Sequence, residues 1–214
     1  MILLCSPSGS DPTNRSKADF FDAQANAPWA NDHYTQVEMQ KIEKVLASLP
    51  DLEGMTILEP GCGTGRLTRI LASRVGSRGR ILAVDISAKM IKNAKRNLQD
   101  LDNVLLSRAG LESIDLEPGQ IDIAFCHQVF PHFDCKKTAL KILTRSLKPG
   151  GLLVILHLIG LQKINDTHRK AGTAVAHDLM PGSRELKGML TEHFFELEYM
   201  EDLEDLFFVL ARKN

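Results

Sequence analysis

The stretch Ile57-Leu58-Glu59-Pro60-Gly61-Cys62-Gly63-Thr64-Gly65-Arg66-Leu67-Thr68 constrains this chain more than any other. Ile57 to Pro60 read as the end of a buried strand, and Leu67, Ile70, Leu71 and Val75 then repeat at helical spacing. Between them, glycines take every second position. Glycines there let the backbone turn sharply and approach a ligand with no Cβ in the way. The following helix N-terminus adds unpaired N–H groups and positive potential. A strand–glycine loop–helix unit commits the chain to alternating strands and helices.

The rest of the pattern agrees. Asp32 to Leu49 predicts a helix, with Val37, Ile42, Val45, Leu46 and Leu49 at threes and fours. Thr56 to Glu59 predicts a strand, Gly65 to Val75 a helix and Arg80 to Ile86 a strand. Ser87 is an N-cap for a helix over Ala88 to Leu101. Val104 to Ser107 and Ile121 to Cys126 give two more strands. Lys137 to Leu147 predicts a helix ended by Lys148-Pro149-Gly150-Gly151. Leu152 to Leu158, apolar on both faces, predicts a central strand. This is α/β: a doubly wound, mostly parallel sheet. After a helix over Arg184 to His193, Phe195 to Met200 and Leu206 to Ala211 flank an acidic turn. They predict a C-terminal antiparallel hairpin.

The expected organisation is a mobile tail over residues 1–17, lid or cap helices over 18–50 and the α/β domain over 51–214. The last carries an insertion at about 160–181. A net charge of −1 over 214 residues advertises no polyanionic partner, so nucleic acid is disfavoured. Lys89, Lys92, Lys95 and Arg96 read as the solvated face of one helix. Cys5, Cys62, Cys126 and Cys135 form no CxxC pair, which fits reduced thiols and a cytoplasmic setting. Met1 to Cys5 is too short for a signal peptide and Gly151 to Leu161 too short for a membrane span.

In an open parallel sheet, ligands bind beyond the carboxyl ends of the strands, at the switch point. Asp85 ends the second strand, about twenty residues after Gly65, where a carboxylate can accept both ribose hydroxyls. Loop and acid together read as a site for a nucleoside-containing cofactor; the bland alternative is a tight turn with a capping Asp. The dinucleotide fingerprint is GxGxxG, but here the spacing is GxGxG and Arg66 takes the third glycine's place. Glu59, two residues before the first glycine, would repel a pyrophosphate and welcome an ammonium or sulfonium.

Glu59-Pro60-Gly61-Cys62-Gly63-Thr64-Gly65 resembles the first motif of class I S-adenosylmethionine-dependent methyltransferases. The likeness continues through Ala83-Val84-Asp85-Ile86-Ser87, Ile121-Asp122-Ile123-Ala124 and Leu147-Lys148-Pro149-Gly150-Gly151. It covers about residues 20 to 158 and implies a Rossmann-like sheet with an antiparallel last strand. It also implies S-adenosyl-L-methionine as cofactor, leaving as S-adenosyl-L-homocysteine. In this family Glu59 would hold the methionine ammonium, directly or through water. Gly61, Cys62 and Gly63 would pass beneath methionine and ribose within the loop that Thr64 and Gly65 complete. Asp85 would bind the ribose hydroxyls, Ile86 would pack on adenine, and Met90 would close that pocket or fill core. Cys126 and His127 would face the methionine end. Gly110, in Ala109-Gly110-Leu111-Glu112, falls where the family often has an acid, so adenine contacts must come from backbone near Gly110 and Leu111, from water or from Glu112.

Methyl transfer from a sulfonium is an in-line displacement, in which a base takes the proton from an O–H or N–H acceptor. The segment Cys126-His127-Gln128-Val129-Phe130-Pro131-His132-Phe133 resembles the small-molecule branch that includes quinone-biosynthesis C-methyltransferases. His127 and His132 are the candidate bases; each could instead position the cofactor or cap a helix. Phe21, Trp29 and Tyr34 are candidate acceptor contacts in a lid, and His157, at the end of the fifth strand, and His177, in the insertion after it, are further candidates. The expected metal content is none; His157, His168, His177 and Asp178 are a weaker alternative ligand set without tight spacing. The leading reading is methylation of a small-molecule acceptor. A module that binds S-adenosylmethionine without turnover is the alternative, and an NAD-dependent oxidoreductase is disfavoured by Arg66 and Glu59.

Overall fold

A computed structural model describes residues 12–214, with side chains from Arg15 onward. Seven strands form one sheet: β1 (Thr56–Pro60), β2 (Arg80–Asp85), β3 (Val104–Arg108), β4 (Ile121–His127), β5 (Leu147–His157), β6 (Phe195–Leu203) and β7 (Leu206–Lys213). Their order is β3-β2-β1-β4-β5-β7-β6; β1 to β5 run parallel, and β7 pairs antiparallel with both β5 and β6. The chain winds outward from β1 through β2 to β3, then returns to β4 on the other side. The switch point therefore lies between β1 and β4.

Among the described residues, eight α-helices accompany the sheet: α1 (Pro12–Gln24), α2 (Pro28–Asn31), α3 (Gln36–Leu46), α4 (Arg66–Val75), α5 (Ala88–Asn97), α6 (Lys136–Ser146), α7 (Leu161–Lys170) and α8 (Ser183–Glu192). Successive strand residues point to opposite faces, so each central strand feeds two cores. Ile57, Ile123 and Val154 join Ile42 and Val45 of α3 and Leu67 and Leu71 of α4. Leu58, Ala124 and Leu153 join Leu140 and Leu143 of α6 and Leu186 and Leu190 of α8. This is a three-layer α/β sandwich.

Several boundaries differ from the sequence pattern. Pro12–Lys17, the end of the expected tail, belongs to α1, and Lys17 is buried; residues 1–11 of that tail, Cys5 included, lie outside the described residues. The helix predicted from Asp32 starts at Gln36, because Thr35 closes a capping box with Glu38: the Glu38 N–H donates to Thr35 Oγ1 at 3.2 Å and the Thr35 N–H to Glu38 Oε2 at 2.8 Å. The helix after Ser87 stops at Asn97 instead of Leu101, where buried Leu98 turns the chain back under Gly65. The acidic turn shrinks to Glu204-Asp205, with Glu201 to Leu203 paired into the hairpin. The 160–181 segment carries α7 of its own. No helix among the described residues is long and apolar enough to cross a membrane.

Candidate functional site

The glycine loop is held in shape by left-handed backbone and by one carboxylate. Gly61, Gly63 and Gly65 have φ of +68°, +56° and +86°. A Cβ on Gly61 would sit 2.4 Å from Val129 Cγ2, so the loop passes tightly under the segment after β4. A Cβ on Gly65 would meet Leu98 Cδ1 at 2.6 Å; this glycine lets α4 pack against the end of α5. Asp85 Oδ2 accepts the Gly63 N–H at 2.9 Å and Oδ1 accepts the Ser87 N–H at 2.8 Å. The capping role and the ligand-facing position therefore coexist in one side chain.

This loop opens into a cleft of about 1000 Å³, open solvent at its mouth included. Glu59, Gly61, Cys62, Gly63 and Thr64 line one side, with Asp85, Ile86, Met90, Gly110 and Leu111 beyond them. Phe21, Trp29 and Tyr34 line the same cavity, as do His127, Gln128, Val129 and His132. Nearly all residues expected at a cofactor thus meet in one cavity. Gly65 and Cys126 do not line it: Gly65 packs on Leu98, and Cys126 is buried in the core beside α6. His157 and His177 are also outside. His157 is buried edge-on to Phe207, with ring centroids 6.5 Å apart, and His177 is exposed.

Burial governs the charges. Glu59 is 2% exposed, its Oε2 has no hydrogen-bond partner, and its carboxyl is pushed up to about 8. Asp85 is raised to about 6, again by burial. Burial also lowers His127 to about 3, so this imidazole is neutral, and its buried Nε2 has no partner. The Cys62 thiol is pushed well up by burial, which fits a small filler better than a nucleophile. A buried acid with an unpartnered oxygen, lining one cavity with the glycine loop and Asp85, suits a ligand bearing both an ammonium and a ribose.

The α2 segment is tied to the loop. Thr64 Oγ1 donates to the Ala30 carbonyl and Arg66 Nη1 to that of Trp29. The Arg66 guanidinium also stacks 3.8 Å from the centroid of the Tyr34 ring, and Tyr34 stands edge-on to His127. From α1, Asp22 Oδ1 accepts the Ser87 hydroxyl and, at 2.9 Å, the Lys89 N–H, which fastens α1 to the start of α5.

On the far wall, Lys17 Nζ of α1 donates to Asp134 Oδ1 at 2.5 Å, lies 2.8 Å from Asp178 Oδ1 and donates to the His132 carbonyl at 3.0 Å. His132 Nδ1 is 2.8 Å from Asp178 Oδ2. Burial alone would raise the Asp178 carboxyl, but hydrogen bonds from His132 and Lys17 outweigh it and hold it below its ordinary value. Asp178 is therefore engaged by cationic and ring donors. No group of three His, Cys, Asp or Glu that could hold a metal occurs among the described residues. Lys17, Asp22, Arg66 and Gln128 were missed as site residues by pattern alone. Only Gln128, at φ +54° with its N–H on the Leu156 carbonyl, marks itself by backbone strain, and strain is invisible in sequence.

Comparisons with known proteins agree with this geometry. A family model described as methyltransferase domain matches residues 51–198. Malonyl-[acyl-carrier protein] O-methyltransferase of Priestia megaterium is 30% identical over 83% of this chain and 70% of its own length. Ubiquinone/menaquinone biosynthesis C-methyltransferase UbiE of Vibrio cholerae is 31% identical over 67% of this chain and 65% of its own. An uncharacterized protein of a Streptomyces fradiae transposon is 33% identical over 52% of this chain, which spans only 32% of it. Geranyl diphosphate C-methyltransferase of Streptomyces coelicolor superposes with a TM-score of 0.76 at 15% identity, covering 97% of this chain and 99% of that one. A methyltransferase of Aquifex aeolicus gives 0.68 at 21% identity over 96% of this chain and 100% of that one. By the family model, the relatives and the sheet they share, the chain belongs to the S-adenosylmethionine-dependent methyltransferases, through a methyltransferase domain.

Proposed function

We propose that this protein transfers a methyl group from S-adenosyl-L-methionine to a small-molecule acceptor held in the same cleft. One observation carries this reading: a single cavity joins Glu59, the glycine loop and Asp85 to a wall of aromatic and imidazole side chains under a lid. When bound, the cofactor supplies an electrophilic methyl group. Asp85 would take its ribose hydroxyls and Glu59 its ammonium, while Ile86, Met90 and the backbone at Gly110 and Leu111 would flank the adenine. Phe21, Trp29 and Tyr34 would shut water out and hold the acceptor, a task in which alignment supplies much of the rate. Relatives named for O-methylation of malonyl-[acyl-carrier protein] and for C-methylation in ubiquinone/menaquinone biosynthesis support a small acceptor and leave its identity open. A cytoplasmic setting is part of this reading, supported by the free thiols of Cys62, Cys126 and Cys135.

Domain roles follow the same division: α1 to α3 as lid and cap, residues 51–214 as the transferase unit. Thermal unfolding with S-adenosylmethionine, S-adenosylhomocysteine and NAD tests the cofactor. A ligand at a hundred times its Kd adds about 2.7 kcal/mol, a rise of roughly 5–10 °C for a chain of this size. A rise with both adenosyl ligands and none with NAD is expected; a rise with NAD alone would overturn the reading. Tritium transfer from S-adenosylmethionine to acceptor pools then separates turnover from binding alone.

A further inference from the structure

We infer that Asp178 is a positioning residue that holds His132 with its proton on Nδ1, making His132 Nε2 the atom that receives a proton from the methyl acceptor. The inference rests on the proposed methyl transfer and adds the acceptor class: a nucleophilic oxygen or nitrogen that carries a proton.

Asp178 Oδ2 lies 2.8 Å from His132 Nδ1 and Lys17 Nζ stands 2.8 Å from Oδ1, so the two carboxylate oxygens have separate partners and the group cannot rotate freely. An ionised carboxylate only accepts, so Nδ1 must be the protonated nitrogen. Lys17 is 3% exposed and also binds the His132 carbonyl, fixing backbone and carboxylate together. The His132 ring lines the cleft and meets Phe21 edge-on at 5.1 Å. With Nδ1 committed to Asp178, Nε2 is the nitrogen left for a substrate. His127 has no comparable partner: its Nε2 is buried without a hydrogen bond and its ring is kept neutral by burial. The charged and titratable groups about His132 are Lys17 from α1, Asp134 and Lys136 at the start of α6, His157 of β5, His168 of α7 and Asp178 itself. His168 stacks at 4.6 Å, its Nδ1 donating to the Asp178 carbonyl and steadying the loop that carries the carboxylate.

In the step itself, the acceptor's lone pair forms the new bond to the methyl carbon. The methyl–sulfur bond breaks with its electron pair left on sulfur, and the acceptor's proton passes to His132 Nε2. The Asp178 carboxylate stabilises the resulting imidazolium, which later releases the proton to water. This is the base–orienter arrangement in which a carboxylate fixes a histidine's tautomer and direction.

The test is long-range ¹⁵N–¹H spectroscopy of histidine-labelled protein, free and with S-adenosylhomocysteine, in wild type, His132→Gln, Asp178→Asn and Asp178→Glu. The expected result is a His132 ring protonated on Nδ1 with a strongly deshielded proton, lost in Asp178→Asn and recovered in Asp178→Glu. A ring protonated on Nε2, or a spectrum indifferent to Asp178→Asn, overturns the inference. The free-protein spectra decide this even where S-adenosylhomocysteine fails to bind, an outcome that would sink the cofactor reading alone. Tritium transfer to a pool of phenols and N–H heterocycles is the second readout. His132→Gln should lose about 10²–10⁴-fold in kcat with S-adenosylhomocysteine affinity kept. Asp178→Asn should lose kcat without raising KM for S-adenosylmethionine. Unchanged turnover in His132→Gln, or binding of S-adenosylhomocysteine with no transfer to the pool, overturns the base role and the acceptor class.

Discussion

Asp85 Oδ2 accepts the backbone N–H of Gly63 at 2.9 Å, so the acid ending β2 sets the shape of the loop following β1. The same carboxylate receives the Ser87 N–H through its other oxygen. In Asp85→Asn the amide oxygen can serve only one of these donors, and its NH₂ group confronts the other. Hydrogen bonds to a charged group are each worth about 1.5–3 kcal/mol. S-adenosylhomocysteine affinity should therefore fall roughly 10- to 100-fold by calorimetry. An unchanged Kd would remove Asp85 from the site.

Glu59 predicts proton-linked binding. Burial raises its carboxyl to about 8, so much of it is protonated at neutral pH without ligand. A bound ammonium favours the carboxylate, so binding should release a proton and tighten as pH rises from 6 towards 8. Calorimetry in buffers of different ionisation enthalpy measures the release, and Glu59→Gln should abolish it. The ligand-free protein responds with the opposite sign. Because the folded value lies above the ordinary one, this group's stabilisation is complete below about 4.5 and is lost as pH climbs through 8.

Acid should destabilise the fold through two buried imidazoles. His127 is lowered to about 3, and His157 is lowered well below its ordinary value, both by burial first. A depressed value in the folded state means stability is present above about 6.5 and is lost as pH falls towards 3. Urea melts of His127→Asn with His157→Leu should show a shallower acid decline than wild type. An identical slope would mean that these rings ionise without unfolding the protein.

Gly65→Ala should destabilise by about 1–4 kcal/mol, combining left-handed backbone with an overpacked contact at Leu98. Leu98→Ala alone opens a cavity and costs about 2–5 kcal/mol. The double variant should lose less than the sum, because the smaller side chain makes room for the new methyl group. Strict additivity in denaturant melts would place the glycine's importance elsewhere.

Trp29 is the only tryptophan, is 52% exposed and lies on α2, the proposed lid, which Arg66 binds through the Trp29 carbonyl. Its fluorescence should shift when S-adenosylhomocysteine enters the cleft. Arg66→Lys loses the planar stack on Tyr34 and should leave the lid looser, with a redder Trp29 emission and a weaker ligand response. Identical spectra in the variant would show that the stack does not hold the lid.

Much of the fold was legible because its signals are local. Alternating Ile57-Leu58 and Leu153-Val154 on two-sided strands, the glycine spacing and the Ser87 cap each act within a few residues. The glycine-loop side of the cleft was legible for the same reason: Glu59, Gly61 and Asp85 sit at strand ends whose positions the topology dictates. The wall around His132 was not. Lys17 reaches His132 and Asp178 across the whole fold, and nothing near it in sequence announces that partnership. His157 and His177 were expected at the cavity because they border the right strand edge. Side-chain direction sends one into the core and the other to solvent.

The position of β7 between β5 and β6 has a consequence for biosynthesis. Leu152 to Leu156 are bonded on one side to β4, and their other edge waits for Leu206 to Lys213. About 56 residues must be added after β5 before that partner is complete, roughly 3–11 s at about 5–20 residues per second. During that interval an all-apolar strand shows an open edge, the template on which chains pair with one another. Ribosome-associated chaperones would find their client in this window, and slowed translation of codons 158–213 should lower soluble yield more than the same delay placed before β1.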